Sequence, residues 1–262
     1  MQLNEQNYFS HEAETAYFSA SQIKAFKKCE AAAMAQLCRQ YERPMSQALM
    51  VGQYVDAGLT GDLYAWEREH PEIRKRDGGL KAEYVQAEEM VQRAMRDPLF
   101  MDFMQGEHQV ILTEKLFGEY PFKAKFDVLG ADRIVDLKTV RDLKSQYMPG
   151  QGRVDFATAW DWPLQMAIYQ KIYEKAEGVR LPCYLAVITK ETPADIRIVQ
   201  IEQERMDAEI AWLKQVMPRY EAIKSGAIDP ERCDVCEYCR ESRILIGPEL
   251  LGDFDENGGI SE

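Results

Sequence analysis

Three charged side chains interrupt two apolar runs in the stretch KAKFDVLGADRIVDLKTV, residues 123–140: Asp127, Asp136 and Lys138. Strands disfavour Asp and Lys, and a buried charge needs a partner. Side chains alternate along a strand, which puts Asp136 and Lys138 on one face about 7 Å apart. Ile134 shares that face, and Val135 and Leu137 point the other way. A tight turn around residues 130–133 brings Asp127 close to opposition with Asp136 on the neighbouring strand. Like charges there destabilise a sheet unless a cation lies between them. Two carboxylates and a nearby main-chain carbonyl make a hard oxygen site suited to Mg²⁺ (or Mn²⁺). Such a site can hold a water and a phosphate oxygen, with Lys138 orienting or deprotonating the water and stabilising charge on the phosphate. That chemistry is metal-assisted phosphodiester hydrolysis. An exposed hairpin with solvated charges fits the same three residues, so the surrounding elements have to separate the two readings.

A second group is ERCDVCEYCRES, residues 231–242, with Cys233, Cys236 and Cys239 at Cys-X2-Cys-X2-Cys spacing. Close cysteines inside a cell point to metal rather than to disulfides. Three thiolates leave one position open on a tetrahedral zinc or on an iron–sulfur cluster, and all-sulfur ligation suits either.

The rest of the chain must position these groups. It has 262 residues, 46% hydrophobic and 29% charged, an ordinary globular composition with enough apolar surface for a central sheet. No apolar run approaches the length of a membrane span. The start MQLNEQNYFSHEAETAYFSA lacks the basic-then-apolar pattern of a secretory signal, so a cytoplasmic protein is expected. The formal net charge of −12 argues weakly against nucleic acid, although a basic channel can sit on an acidic body.

Apolar periodicity after Ser19 and Ser21 predicts one helix over about 20–41, with Pro44 ending the connection. A second helix covers SQALMVGQYVDAGLTGDL, where Gly52 implies close packing. A loop spans 62–80, and a third helix covers 80–97. Three β-type runs follow at 108–118, 120–130 and 132–140, then a polar, Gly-rich loop over 141–158. A helix at 161–178, strands at 182–191 and 194–202, and a helix at 205–226 complete the order ααα-βββ-α-ββ-α. The fold class is α/β, a central mixed β-sheet flanked by helices. The expected division is a main domain over 1–229, a cysteine segment over 230–245 packing back on the N-terminal helix, and an acidic, disordered tail over 246–262.

Asp, a turn, then Asp-X-Lys in an apolar strand resembles the PD-(D/E)XK nuclease signature, which implies a restriction-endonuclease-like core. RecB-like members carry Gly-X-X-X-His on an upstream helix; here GQYVD puts Asp56 at the His position, a possible further metal ligand. Their downstream Gln-X-X-X-Tyr matches QMAIY, with Gln165 and Tyr169 on one helical face where both can contact substrate phosphate. LMVGQYVDAGL, PFKAKFDVLG, IVDLKTV, QMAIYQ and ITKETPADI together resemble the phage RecE-like exonucleases of the exodeoxyribonuclease VIII type, over about residues 19–240. That resemblance implies a processive enzyme degrading one strand of duplex DNA from a 5′ end, a homo-oligomeric ring and a single-strand annealing partner. Lys125, sharing a face with Asp127, implies a phosphate contact, or else a cross-strand partner for Glu114; Lys190 and Glu191 are a strand-end pair that could approach DNA. The segment SASQIKAFKKCEAA resembles the first helix of RecB-like and CRISPR-associated nucleases with a four-cysteine cluster, which makes Cys29 the fourth ligand and favours [4Fe–4S] over Zn²⁺. Those families space their last cysteine further away. Cys38 is a poorer candidate, and Cys183 reads as core packing. Two other readings remain: a single-strand-specific nuclease of the same fold, and a non-catalytic metal-stapled adaptor.

Overall fold

The computed structural model describes residues 1–42, 46–148, 150–245, 247, 248 and 250. Pro44 and nearly all of the acidic tail expected over 246–262 lie outside the described residues. The first part of the chain is helical: α1 (His11–Ala16), α2 (Ala20–Lys28), α3 (Glu30–Leu37), α4 (Gln47–Thr60), α5 (Leu63–Glu69), α6 (Ala82–Met95) and α7 (Pro98–Phe103). A meander follows, β1 (Glu107–Leu116), β2 (Tyr120–Leu129) and β3 (Ile134–Val140), then a small hairpin, β4 (Gln146–Met148) and β5 (Gly152–Val154). The chain continues through α8 (Trp162–Glu177), β6 (Cys183–Thr189), β7 (Ile196–Gln200), α9 (Gln203–Lys224) and α10 (Glu237–Glu241).

The central five-stranded sheet has the order β1-β2-β3-β6-β7. Only β3 and β6 are parallel; the other neighbours are antiparallel. A parallel pair needs a long crossover, supplied here by the β4–β5 hairpin and α8. The alternation of β3 separates two apolar layers. Ile134 and Val140 join Phe26, Leu164, Ile168 and Leu213 under α2, α8 and α9. Val135 and Leu137 join Val55, Met90 and Phe100 under α4, α6 and α7. Asp136 and Lys138 therefore point toward the α8 side. No helix among the described residues is long and apolar enough to cross a membrane.

Several local expectations change. The single helix over 20–41 is two helices, broken at Cys29, whose backbone is extended (φ −168°, ψ 111°). Its N–H caps α2 on Ala25 and its thiol caps α3 by accepting from the Ala32 N–H. The apolar spacing runs through the break, which hides it in the sequence. The 62–80 loop contains α5 and a short 3-10 turn at Pro71–Ile73, whose Ile73 is fully buried. The 141–158 loop contains the β4–β5 hairpin. α7 opens on an Asp97 cap, accepting from the Phe100 N–H at 2.9 Å, with Pro98 in the first turn. The tightest glycine contact on α4 belongs to Gly58, where an added Cβ would lie 2.7 Å from Val91 Cγ2; at Gly52 it would lie 3.5 Å from Thr139 Oγ1.

Candidate active site

The site starts where the β2–β3 ladder opens. The two strands pair at Leu129↔Ile134 and Val128↔Val135, and the same register sets Asp127 opposite Asp136. There the backbone bonds give way to a side chain: Asp127 Oδ2 accepts the Leu137 N–H at 3.0 Å. Asp136, 1% exposed, is held from both sides. Its Oδ2 forms an ion pair with Lys138 Nζ, and its Oδ1 accepts from Gln165 Nε2 at 2.7 Å. Gln165 Oε1 in turn accepts from Lys24 Nζ at 2.7 Å. One rigid chain thus runs from α2 through α8 to β3. Tyr169, one turn beyond Gln165, packs on Phe126 of β2 with ring centres 5.0 Å apart.

Asp56 reaches the same cluster from α4. Its Oδ2 accepts from Gln109 Nε2 at 3.2 Å, while its buried Oδ1 has no hydrogen-bond partner. Gln109 lies on β1 between His108, paired with Val128, and Val110, paired with Phe126, so it faces Asp127. It adopts φ +55°, a left-handed conformation that an L residue holds at a cost. The bend aims its amide at Asp56.

The charges perturb one another as close packing requires. Burial pushes the Asp127 carboxyl up to about 8, with Asp136 and Asp56 adding to the rise against Lys138 and the Leu137 N–H. Burial also raises Asp56; His108 and Lys125 oppose the shift and Asp136 reinforces it. Burial alone would lower Lys138, but Asp136 and Asp127 outweigh it and hold the ammonium above its usual range. Tyr169 rises well above the ordinary phenol range through burial, then Asp136 and Asp127. Burial and the Lys138 charge bring Lys24 down to about 7. Two carboxyls raised by burial, Asp127 and Asp56, meet beside the Asp136 carboxylate, and one of them keeps an orphaned oxygen; such a set fits a hard divalent cation. Lys125 lies with its Nζ 5.9 Å from the Phe9 ring centre. Its cross-strand partner is Ile111, and Glu114 faces Phe122, so the alternative of Lys125 as a cross-strand partner for Glu114 does not hold.

A second constellation lies at the α2–α3 break. The sulfurs of Cys29, Cys233, Cys236 and Cys239 all lie within 4.8 Å of one another. Cys29 and Cys239 approach to 3.6 Å, and Cys233 and Cys239 to 4.0 Å. Cys38 is exposed and Cys183 is buried in the core; neither belongs to this group. The segment carrying the three C-terminal cysteines is tied down beside Cys29. Glu30 takes a two-pronged Arg219 contact at 2.7 Å and accepts the Glu231 N–H at 2.9 Å, and the Ala31 N–H donates to Glu231 O at 3.0 Å.

Lys190 is half-buried at the end of β6, its N–H donating to Val140 O at 2.7 Å, and Glu191 is exposed. Sequence reasoning missed Lys24 and Gln109. Lys24 sits among the lysines of α2, and nothing in their spacing singles it out. Gln109 carries no signal, because its role comes from a backbone twist. Residues 19–242 match the family described as a PDDEXK-like domain of unknown function (DUF3799). A solved structure of an Eubacterium rectale protein described as a "putative exonuclease" is 36% identical, covering 97% of this chain and 98% of that one, with a TM-score of 0.91. A structure of SSO0001 aligns at 12% identity and a TM-score of 0.30, covering 86% of this chain and 94% of that one. No curated protein matched. With the central mixed sheet and the paired Asp and Asp-X-Lys elements in place, the chain belongs to the DUF3799 family of PDDEXK-like domains.

Proposed function

We propose that this chain is a divalent-metal-dependent DNA exonuclease that degrades one strand of linear duplex DNA from its 5′ end, leaving 3′ single-stranded tails. One observation carries the nuclease reading: Asp56, Asp127 and Asp136 converge on Lys138, and an unpartnered oxygen of Asp56 is buried among them. An adaptor has no use for charges that oppose one another in this way. Exonuclease action is supported by the 36% identical Eubacterium rectale relative. Strand polarity, a homo-oligomeric ring, a single-strand annealing partner and a role in phage-type recombination rest on the RecE-like resemblance.

Asp127 and Asp136, with Asp56 beside them, hold the cation. When bound, Mg²⁺ or Mn²⁺ supplies Lewis acidity toward a phosphate oxygen and a water. Lys138 keeps its proton at rest because two carboxylates face it, and it is placed to orient the water and to stabilise phosphate charge. Gln165, braced by Lys24, fixes the Asp136 carboxylate and presents the α8 face with Tyr169 to the substrate backbone. Lys125 and Lys138 place positive charge beside the site of an acidic protein, where it can attract phosphate.

The test is digestion of linear duplex DNA labelled at either the 5′ or the 3′ end, with and without Mg²⁺, beside Lys138→Ala. Mg²⁺-dependent loss of one strand from its 5′ end, abolished in the variant, is the expected result. Loss of single-stranded DNA alone would move the reading to a single-strand nuclease. No degradation of either substrate would refute the enzyme reading.

A further inference from the structure

We infer that Cys29, Cys233, Cys236 and Cys239 hold one tetrahedral zinc ion, and not the four-iron cluster that the cysteine pattern suggests. The distances decide between them. Thiolates bound to a single zinc at about 2.3 Å stand about 3.8 Å apart. Two of the pairs here are 3.6 and 4.0 Å apart, and all four sulfurs fall within 4.8 Å of one another. A four-iron cube bonds each thiolate to a different iron, so its sulfurs occupy a tetrahedron larger by the size of the cube itself. This set of sulfurs has no room for one.

The backbone is built around the smaller group. Cys29 is an extended residue wedged between two helices, so its thiol leaves the chain at the break, where a continuous helix would have pointed it along its own side. On the opposite side the Cys236 N–H donates to Cys233 Sγ at 3.3 Å and the Cys239 N–H to Cys236 Sγ at 3.5 Å. Amides donating to the ligating sulfur three residues earlier orient the thiolates around one centre. Four protein ligands close the coordination sphere, so the ion is structural. It ties a residue near the start of the fold to a segment beyond its last long helix, at the end of the same α2 that carries Lys24.

The full chain, purified anaerobically from cells supplied with both iron and zinc, tests this without reference to activity. Expected are about one zinc per chain, no acid-labile sulfide and no visible absorption band, with exchange to Co²⁺ giving the intense visible bands of a tetrahedral thiolate site. Cys236→Ser, at a half-exposed ligand, should lose most of the zinc; if that variant does not fold, the wild-type stoichiometry still decides. Iron with sulfide, about four of each per chain, overturns the assignment. A lone iron, or no retained metal, overturns it as well.

Discussion

Replacing Asp127 by Asn tests whether the carboxylates are a charge conflict that a cation resolves. A carboxyl raised from 3.8 to about 8 keeps its proton in the folded chain over that whole interval, while the unfolded chain has released it. The folded state therefore binds more protons, and its stability falls as pH rises from about 4 to 8. At about 1.4 kcal/mol for each pH unit, the interval from 3.8 to about 8 sets a ceiling near 5–6 kcal/mol. Water entry and rotation of the carboxylates reduce the realised cost to about 2 kcal/mol. Asn keeps an oxygen to accept the Leu137 N–H, so the variant removes the charge and little else. With divalent cations dialysed away, and no chelator that would attack the thiolate centre, Asp127→Asn should melt about 4–8 °C above wild type at pH 8. At pH 5 the gap should narrow to about 1–2 °C, because the unfolded carboxyl ionises above 3.8 and only about a quarter of the interval up to 8 has then been crossed. Excess Mg²⁺ at pH 8 should raise the wild type and leave the variant unmoved. Scanning calorimetry at the two pH values reads all of this. A variant less stable than wild type at pH 8, or equally stabilised at pH 5, would refute the reasoning.

Lys24→Met removes one charge-assisted bond to Gln165, worth about 1.5–3 kcal/mol; turnover should fall about 10–100-fold with the melting temperature held or raised, measured by initial-rate digestion beside calorimetry. Gly58→Ala should destabilise by about 1–3 kcal/mol because its Cβ meets Val91 at 2.7 Å, whereas Gly52→Ala, 3.5 Å from Thr139, should stay within about 1 kcal/mol, as urea melts can show. Stripping the thiolate-bound ion should release the segment around Cys233–Cys239, and limited trypsin digestion should then cut first at Arg232, Arg240 and Arg243 while the sheet survives.

Strand alternation alone placed Asp136 and Lys138 on one face of β3, and the Gln165–Tyr169 spacing placed both on one side of α8, because those periods are fixed by backbone geometry. The short Asp-turn-Asp separation made the approach of Asp127 to Asp136 legible too. The break at Cys29 was not, since Phe26, Ala33 and Leu37 keep helical spacing across it and only the thiol's tertiary surroundings stop the helix. Lys24 reads like its neighbours Lys27 and Lys28, and only the position of α8 shows that it alone reaches the cluster. Ile73 and the β4–β5 hairpin sit in stretches rich in Gly, Pro and charge, where turn residues mask short elements.

The opening of the β2–β3 ladder has one more consequence. The Leu137 amide proton is held by a carboxylate oxygen, where an ordinary strand position offers a carbonyl. A carbonyl acceptor has a fixed charge, but this acceptor's electron density changes with its proton and with any cation it ligates. A single backbone resonance at the middle of the sheet thus carries the state of the site. Its chemical shift titrates with Asp127 and moves again when a cation binds, with no need for substrate or turnover.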